Sequence, residues 1–403
     1  MLRLALGVFF LQCGFHGFTA SLPLALAAAG VPNPEIGVVM GSASLVMIPA
    51  AFVGGAFVDR YGGSMLLIGA AVAYTLQSLL LLATGVEAGA STLPALIARV
   101  CGGVGLALVL PSALSLVPRL VATSRQGFAL SVVGSAQNLA LIVAPALSVA
   151  ILGVQGLDVV SIGVLVAVWV GLALTRRLPY RHADSSHEQR AARGLRLTFR
   201  RSWIAPLSIV VLYVAHWGAV TAYLPQRAAA VGADIGLFFV ADGVAILALR
   251  IPAGWLADRM STRYLAPIGV AMSIVGLLLL IPTPTTPLLV VSGFLGGAGG
   301  ALVLTPMLVE MSRRSGEADR GSAFSLYAGA LAAAIAIGSI GFAPFIDEVG
   351  FEVAMILGSL AAAAAAVIAI LEPGLRTDSR DIDDIGDIDD IGDVSTAAPT
   401  PSD

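Results

Sequence analysis

The sequence predicts an all-α membrane protein with twelve transmembrane helices, arranged as two six-helix halves with both termini in the cytoplasm. Of its 403 residues, 58% are hydrophobic and only 12% are charged, a composition outside the range of soluble domains. Apolar stretches long enough to span the hydrocarbon core of a bilayer recur along the chain. Short motifs of the first part also return in the second part, which is typical of membrane proteins built from two parallel repeats.

The apolar stretches divide the chain into twelve predicted spans. In order, they cover residues 4–30, 36–58, 64–85, 93–118, 128–152, 158–178, 204–230, 235–257, 264–282, 287–311, 322–346 and 351–371. A signal peptide is the alternative for the first span, but this run is longer than the apolar region of such a peptide. Its Leu22-Pro23 ending recurs as Leu224-Pro225 in the seventh span, so we expect the first span to be retained.

Two polar segments complete the predicted domain organisation. Residues 1–178 form the first half and residues 204–372 the second half, and a basic loop at 179–203 joins them. The acidic tail, 373–403, contains two consecutive copies of the hexapeptide Asp-Ile-Asp-Asp-Ile-Gly. This tail is too polar to bury a core, so we expect it to be disordered.

Arginines determine the predicted orientation, because the cytoplasmic loops of membrane proteins are enriched in cations. Eight arginines lie between Arg176 and Trp203, and others follow the fourth, eighth and tenth spans. The opposite loops are acidic apart from Arg227, and they carry Glu35, Glu87, Asp158, Asp234, Asp347 and Glu348. The sequence therefore predicts that both termini and the basic loop are cytoplasmic.

A charged turn, Gly-x-x-x-Asp-Arg, ends the second span and recurs at the end of the eighth, with 199 residues from Asp59 to Asp258. The helix dipole disfavours an anion at a helix C-terminus, so each aspartate needs a cation or a helix N-terminus as its partner. Gly62 and Gly63 allow the first chain reversal to be tight. Such a turn can lock one conformation and release another. The residues assigned to this switch are Gly55, Asp59, Arg60 and Gly62, and Gly254, Asp258, Arg259 and Arg263.

A glycine motif is also duplicated, which supports the two-half organisation. Gly102-Gly103-x-Gly105 in the fourth span recurs as Gly296-Gly297-x-Gly299 in the tenth. These glycines lie inside apolar spans, with no strand before them and no lysine after them, so a phosphate-binding loop is excluded. Small residues inside spans allow helices to approach closely, and we predict that function here.

The twelve spans, the duplication, the long central loop and the doubled charged turn together resemble the major facilitator superfamily of transporters. The likeness covers about residues 1–372, and Arg99-Val100-Cys101-Gly102-Gly103 resembles the family's motif in the fourth span. The resemblance implies a carrier whose two halves rock against each other. Spans 1, 4, 7 and 10 would line the cavity, and spans 2, 5, 8 and 11 would form the interface. Asp59 would cap the start of span 11 and meet Arg119 or Arg125.

Charges inside the hydrocarbon are costly and usually face a cavity or a partner. Asp242 is the only carboxylate well inside a predicted span, and we assign it to proton coupling, with a structural ion pair as the alternative. Arg99 is expected to hold a polar or anionic substrate group, or to pair with a titrating acid such as Asp242; helix–helix bonding is its alternative. For Arg250, a structural partnership with the charged turn is favoured over ligand binding.

Other polar and aromatic residues inside the spans are candidates for the substrate cavity. Histidine titrates near neutral pH, but a lone histidine in an apolar helix is more often bonded to a neighbour. The amides are either cavity donors or interhelical bonds, and the aromatic rings either stack on a solute or mark a membrane interface. These candidates, beside Arg99, are His16, Gln137, Asn138, Tyr213, His216 and Trp217.

The sequence thus predicts a secondary active transporter of a small organic solute in the bacterial cytoplasmic membrane, driven by protons, with efflux favoured. An uptake carrier or facilitator is the alternative, and a non-transporting sensor or lipid-handling protein is the alternative from another class. We expect a monomer whose partners are the solute, protons and membrane lipids, with no nucleic acid. Cys13 and Cys101 suggest neither a disulfide nor a metal site. No hydrolase triad or Walker motif is present, so neither an enzyme nor a cofactor is predicted.

Overall fold

A computed structural model describes residues 1–87, 89–122, 125–176, 199–257, 259–315 and 319–375. Every regular element in these ranges is helical, as the sequence predicted. In this part of the chain, ten helical stretches are long and apolar enough to cross a membrane, and Thr262–Leu278 is a shorter apolar helix. Most of the predicted basic loop and acidic tail lies outside the described residues.

The helices follow the predicted spans closely along the chain. The first six are α1 Leu2–His16, α2 Ser21–Ala28, α3 Asn33–Tyr61, α4 Gly63–Thr84, α5 Leu93–Leu120 and α6 Gln126–Arg176. The others are α7 Ile204–Ala230, α8 Ile235–Ala257, α9 Thr262–Leu278, α10 Thr286–Arg313, α11 Arg320–Ala336, α12 Ala343–Glu348 and α13 Phe351–Leu371. A π-helix, Ile337–Gly341, joins α11 to α12, and short 3-10 turns cover Arg201–Trp203 and Pro373–Leu375.

The first predicted span is broken in the structure. Helix α1 ends at His16 and α2 begins at Ser21, so two successive helices replace the single helix predicted at 4–30. The Ser21 hydroxyl donates to the carbonyl oxygen of Gly17 at 2.7 Å, which satisfies an acceptor where the helical ladder is interrupted. Hydropathy did not reveal this break, because the residues on both sides of it are apolar.

The fifth and sixth predicted spans, 128–152 and 158–178, lie in a single helical stretch, α6. Its only non-helical backbone conformation is at Gly156, with φ 83° and ψ 176°. This region of backbone space is accessible almost only to glycine. The chain direction therefore changes at one residue, without the loop that the sequence suggested.

The turn between α3 and α4 assigns different roles to its two glycines. Gly62 has a φ of 78°, which permits the reversal predicted from the sequence. Gly63 is instead the first residue of α4, and a methyl group there would come within 2.4 Å of Ser115 Oγ on α5. Gly62 thus shapes the turn, whereas Gly63 allows close packing.

Two later elements differ from the predicted spans. Helix α9 ends at Leu278, before the predicted 282, because Pro282 disfavours the helical conformation of the residue before it. The predicted span 322–346 consists of α11, the π-helix and part of α12. A methyl group on Gly338 of the π-helix would lie 1.7 Å from the carbonyl oxygen of Ala215 on α7. Close contact with α7 therefore accompanies the irregular turn.

Helices α1–α6 pack mainly against one another, and α7–α13 do the same. The two sets meet chiefly where α3 contacts α11 and where α6 contacts α8. These helices correspond to spans 2, 11, 5 and 8, the interface that the family resemblance implied. A methyl group on Gly243 of α8 would lie 2.0 Å from Ile142 Cγ1 of α6, so the contact is tight.

The duplicated glycines occupy equivalent positions in the two sets of helices. Gly103 faces the backbone of Ala43 on α3, and Gly297 faces the backbone of Asp242 on α8; added methyl groups would lie 2.5 Å and 2.1 Å from the two carbonyl oxygens. Gly105 packs on Tyr74 of α4, and its counterpart Gly299 packs on Ser273 of α9. The prediction that these glycines serve close helix packing is confirmed.

Candidate functional site

The charged turns lie partly outside the described residues. The surroundings of Gly55, the side chain of Asp59 and the whole of Asp258 are in this undescribed part, so the partners predicted for the two aspartates stay predictions. The same holds for the Arg119 side chain, whereas Arg125 is exposed. Gly254 leaves space on its helix, because a methyl group there would reach only Thr305 Cγ2, at 4.0 Å.

The arginines of both turns stack on aromatic rings. The Arg60 guanidinium carbon lies 5.3 Å from the ring centroid of Tyr61. Arg259 lies 3.9 Å from the Trp255 ring, and Arg263 lies 5.4 Å from the Tyr264 ring. Cations are attracted to the faces of aromatic rings. These contacts keep positive charge beside the ends of α3 and α8.

A carboxylate that the sequence analysis missed lies at the same end of the second set of helices. Glu310 is buried at the C-terminal end of α10, where Thr262 Oγ1 donates to its Oε1 at 3.1 Å. Arg314 Nε lies 3.3 Å from Glu310 Oε2, and Arg313 Nη1 lies 3.8 Å from Oε1. The argument applied to Asp59, an anion opposed by the helix dipole, would have identified Glu310.

Buried polar side chains from α1, α4 and α5 form what we call the first-half polar cluster: Gln12, His16, Tyr74, Gln77 and Arg99. Arg99 is only 2% exposed, and its guanidinium lies 4.2 Å from the ring centroid of Phe15. It is also near enough to His16 and Tyr74 for an electrostatic interaction. The amide of Gln77 donates to the carbonyl oxygen of Gly14 at 2.8 Å.

Most polar atoms of the first-half polar cluster have no hydrogen-bond partner among the described residues. The atoms without one are Gln12 Nε2 and Oε1, His16 Nδ1, the Tyr74 hydroxyl, Gln77 Oε1, and Arg99 Nε and Nη1. Buried polar atoms are normally hydrogen-bonded, because an unpaired one loses its interactions with water. The cluster therefore has unused capacity to bind a polar group.

Asp242 lies in the other set of helices and is only 3% exposed. It makes no hydrogen bond or ion pair that the structure shows with a described residue. Its neighbours are Gly296 on α10 and Tyr213 on α7, and the Tyr213 hydroxyl is 2.7 Å from Ser273 Oγ on α9. The expected contact between Asp242 and Arg99 is not formed in this conformation, because each side chain lies inside a different set of helices.

A small cavity of about 30 Å³ lies between α7, α8, α9 and α10, and Gly296, the neighbour of Asp242, is one of its lining residues. It is large enough for a water molecule. Its polar walls come from His216, Ser273 and Ser292, and its apolar walls include Trp217 and Phe238. The His216 ring is 5.2 Å from the Tyr213 ring in an edge-to-face arrangement. Three predicted cavity residues, Tyr213, His216 and Trp217, are therefore grouped here.

The other predicted polar residues are not part of either cluster. Gln137 and Asn138 on α6 are partly buried and have no hydrogen bond that the structure shows with a described residue. Arg250 on α8 is exposed, and no ion pair joins it to a described residue. Its expected partnership with the charged turn stays a prediction, because Asp258 lies outside the described ranges.

The two sets of helices are hydrogen-bonded to each other at what we call the Asn33 end, where α3 begins and α7 ends. Asn33 Nδ2 donates to Asp347 Oδ1 at 2.9 Å, and Gln226 Nε2 donates to Asn33 Oδ1 at 2.8 Å. The Tyr223 hydroxyl donates to the carbonyl oxygen of Ser339 within the second set and also lies 3.4 Å from the carbonyl oxygen of Asn33 in the first set. We call the opposite end, with the charged turns, the Arg60 end.

A family model described as Major Facilitator Superfamily matches residues 4–233 and 209–387. The chain belongs to the Major Facilitator Superfamily. The matched regions together cover nearly the whole described chain, which agrees with the resemblance found in the sequence motifs. Members of this superfamily are transporters, not enzymes, as the sequence predicted.

Solved structures of other superfamily transporters share this fold. A D-xylose–proton symporter is 19% identical, with a TM-score of 0.72 over 93% of this chain and 98% of its own. The xylose transporter XylE from E. coli, in an inward-open conformation, is 17% identical, with a TM-score of 0.68 over 92% and 96%. A POT family transporter in complex with 5-aminolevulinic acid is 14% identical, with a TM-score of 0.73 over 93% and 96%. At such identities the likeness concerns the fold alone.

Sequence reasoning missed four buried polar residues. Gln12, Tyr74 and Gln77 belong to the first-half polar cluster, and Ser273 belongs to the group near Asp242. Gln12 lies one helical turn before His16, so helical spacing would have placed both on one face of α1. Tyr74 and Gln77 are also neighbours at a spacing of three residues on α4. The offset between the charged turns, 199 residues, relates Tyr74 to Ser273, and this signal was present in the sequence.

Proposed function

We propose that the protein is a proton-coupled secondary active transporter that moves a small organic solute across the bacterial cytoplasmic membrane by alternating access. Asp242 carries this proposal. It is a buried carboxylate with no cationic partner among the described residues, and its neighbour Gly296 lines a cavity with histidine and serine walls. A proton-driven carrier needs a group that is neutral in one state and charged in another. The fold of the D-xylose–proton symporter supports transport by this architecture.

We propose twelve spans with cytoplasmic termini. The break at Gly156 divides α6 into two spans, while α1 with α2, and α11 with the π-helix and α12, each form one. The arginine-rich segments then lie on one side of the membrane, which the positive-inside rule favours. Residues 1–178 and 204–372 are the two halves, and 179–203 and 373–403 are cytoplasmic segments, most of which lie outside the described residues; Pro373–Leu375 forms a 3-10 turn rather than part of a disordered tail. In this arrangement the Asn33 end faces outward and the Arg60 end faces the cytoplasm.

The described conformation is inward-facing under this proposal, because hydrogen bonds join the two halves at the Asn33 end. The charged turns are the switch at the opposite end. We propose that Asp59 and Asp258, with Arg60, Arg259 and Arg263, close the cytoplasmic side in the alternate state. Differences between such states are typically worth about 1–3 kcal/mol in coupling free energy.

Efflux is our proposal for the direction of transport, and the protein is proposed to act as a monomer in contact with lipids. The second candidate function is uptake, which the proton symporter among the similar structures favours. A sensor without transport activity is the candidate from another class. Flux of solute into or out of proteoliposomes separates the three, because a sensor gives no flux in either direction.

The Asp242→Asn variant tests the coupling. In proteoliposomes with an imposed pH gradient, this variant should fail to accumulate solute against its gradient, because its side chain cannot exchange a proton. It should retain counterflow exchange, which needs no net proton movement. Asp158→Asn is the matched control, since Asp158 is exposed near the end of a span, and it should keep wild-type accumulation.

Uphill transport by Asp242→Asn would show that this carboxylate is structural and would contradict its coupling role. His16 or His216 would then be the next candidate. The counterflow measurement also controls for folding, since breaking a buried polar arrangement destabilises many proteins.

A further inference from the structure

Arg99 is a buried cation with no anionic partner among the residues that the structure describes. A guanidinium stays charged in proteins, whereas a buried carboxylate can become neutral by binding a proton. The described acidic residues of the first half, Glu35, Glu87 and Asp158, are exposed and lie near helix ends. None of them forms an ion pair with Arg99 that the structure shows. Asp242 therefore has a way to lose its charge, and Arg99 has none.

The surroundings of Arg99 are polar and have free bonding capacity. Its ring partner, Phe15, covers one face of the guanidinium, while Nε and Nη1 have no acceptor. The amide of Gln12 and the hydroxyl of Tyr74 are equally without partners. Side chains packed for structure alone normally pair such atoms with one another. Here the side chains of Gln12, Tyr74 and Arg99 do not pair with one another. A ligand with oxygen acceptors could bind their free N–H and O–H groups.

The wall of the first-half polar cluster also contains a helix break. Helix α1 ends at His16, a member of the cluster, and α2 starts at Ser21. Discontinuous helices are common at the substrate sites of transporters, where the ends of the half-helices and the unwound backbone contact the solute. The break therefore places a helix end and non-helical backbone next to the cluster, which is closed to solvent in this conformation.

We infer that Arg99 binds the carboxylate of a small organic monoanion, with Gln12, Tyr74 and Gln77 binding its other polar atoms. This inference gives the chemical class of the solute and so rests on the proposed transport function. The two adjacent N–H groups of a guanidinium match the two oxygens of a carboxylate. A single arginine balances one negative charge. A phosphate dianion would need further cations, and no other lysine or arginine lies in the cluster.

Binding of paired probes to the purified full-length protein tests this inference. Sodium lactate and sodium benzoate are compared with lactamide and benzamide, which keep the shape and lose the charge. Titration calorimetry at constant ionic strength gives the affinities. At least one carboxylate should bind about tenfold or more tightly than its amide, a difference expected from a charge-assisted contact. If neither acid binds more tightly than its amide, the inference is wrong.

Variants locate the binding site. Arg99→Gln should remove the preference for carboxylate over amide, while Arg250→Gln, which removes an exposed arginine, should keep it. Gln12→Leu provides a second test, because the Gln12 amide has no hydrogen-bond partner in the described part of the chain and its loss should not impair folding. It should weaken carboxylate binding several-fold. Unchanged affinity for the carboxylate in Arg99→Gln would contradict the inference. If Arg99→Gln does not fold, unchanged affinity in Gln12→Leu would contradict it instead. Arg99 would then have a structural role, in which it neutralises the C-terminal end of α1.

This result can be separated from a failure of the proposed function. Carboxylate binding that depends on Arg99, without flux in proteoliposomes, would support the site and contradict transport. Flux of a neutral solute that is unaffected in Arg99→Gln would support transport and contradict the site.

Discussion

The glycines of α5 and α10 have no side chain at the points where these helices cross their neighbours. Gly297 shows the requirement most clearly, because an added methyl group would lie 2.1 Å from the carbonyl oxygen of Asp242. That contact is shorter than any carbon–oxygen contact a folded protein tolerates, so α8 and α10 would have to separate. The position of the Asp242 backbone therefore depends on a residue with no functional group of its own.

The Gly297→Ala variant should lower the melting temperature of the purified protein, since overpacking in a well-packed core typically costs about 1–3 kcal/mol. Gly134→Ala on α6 is the control, because a methyl group there meets no atom within 4 Å and alanine favours a helix. Its melting temperature should stay the same or rise. Equal melting temperatures for the two variants would contradict the close contact between α8 and α10.

At the scale of residues, the buried charges could be predicted from the sequence, whereas the residues that surround them could not. Arg99 and Asp242 could be found because a charge within an apolar run is conspicuous and costly. Which residues surround them could not be predicted, because Gln77 and the Tyr213–Ser273 pair come partly from helices that are distant in sequence. The pairing of Arg99 with Asp242, expected in one state of the cycle, is not formed in this conformation and stays a prediction for the other state, since a sequence gives depth along a helix but not which face meets which neighbour.

At the scale of elements, α6 depends on a single backbone conformation. Gly156 has φ 83° and ψ 176°, and a side chain at such a position is strained by about 1–3 kcal/mol even though open space surrounds it. Gly153, one turn earlier in the same stretch, is a helical glycine that also has no atom within 4 Å of an added methyl group. The two positions differ in backbone conformation and hardly in surroundings.

We therefore expect Gly156→Ala to lower the melting temperature and Gly153→Ala to leave it unchanged or raise it. Thermal unfolding of both variants in the same detergent provides the comparison. A stable Gly156→Ala protein would mean that residues 126–176 form a continuous helix, which would also contradict the twelve-span arrangement.

The ends of most helices were predictable within a few residues, because charges, glycines and prolines mark them. The break between α1 and α2 was not, since Gly17–Ala20 contains no charge and no proline, and its glycine resembles Gly7 and Gly14, which lie inside α1. The π-helix at 337–341 was equally hidden, because its departure from α-helical geometry accompanies the close approach of Gly338 to α7. Contacts between distant helices, which hydropathy does not record, decide such irregularities.

At the scale of the whole molecule, the Asn33 end holds the halves together through hydrogen bonds. Asn33→Ala removes two of them, each worth about 1 kcal/mol, and should increase opening of this end on the order of tenfold. Ala343 is 1% exposed and faces Gly37 at this end, so a cysteine there reports the opening. Its labelling by an impermeant maleimide, with Cys13 and Cys101 replaced, should be faster in Asn33→Ala.

Thr92→Ala is the matched control for this experiment. The Thr92 hydroxyl donates to Glu35 Oε2 at 2.9 Å, a bond of similar length at the same end but within one half. Labelling at position 343 should be unchanged in this variant. If both variants label at the wild-type rate, or both label faster, the bonds of Asn33 do not hold the two halves closed.

The two-half architecture could be predicted from the sequence because the repeat places the same residue types at a nearly constant offset. The conformation could not, since every alternating state has the same sequence and the same hydropathy. The hydrogen bonds of Asn33 with Gln226 and Asp347 across the halves mark the state described. We propose that the charged turns act in the other state; the side chain of Asp59 and the whole of Asp258 lie outside the described part of the chain.

Distances between spin labels on the two halves test alternating access most directly. One pair, at Ala28 and Ala230, joins exposed positions at the Asn33 end, and another, at Met65 and Tyr264, joins exposed positions at the Arg60 end. Both pairs are introduced without Cys13 and Cys101 and are measured across a pH series in lipid nanodiscs. We predict reciprocal changes, in which the first distance increases while the second decreases as the population shifts. Distances that stay fixed, or that change in the same direction, would contradict a carrier that exposes its site alternately to the two sides.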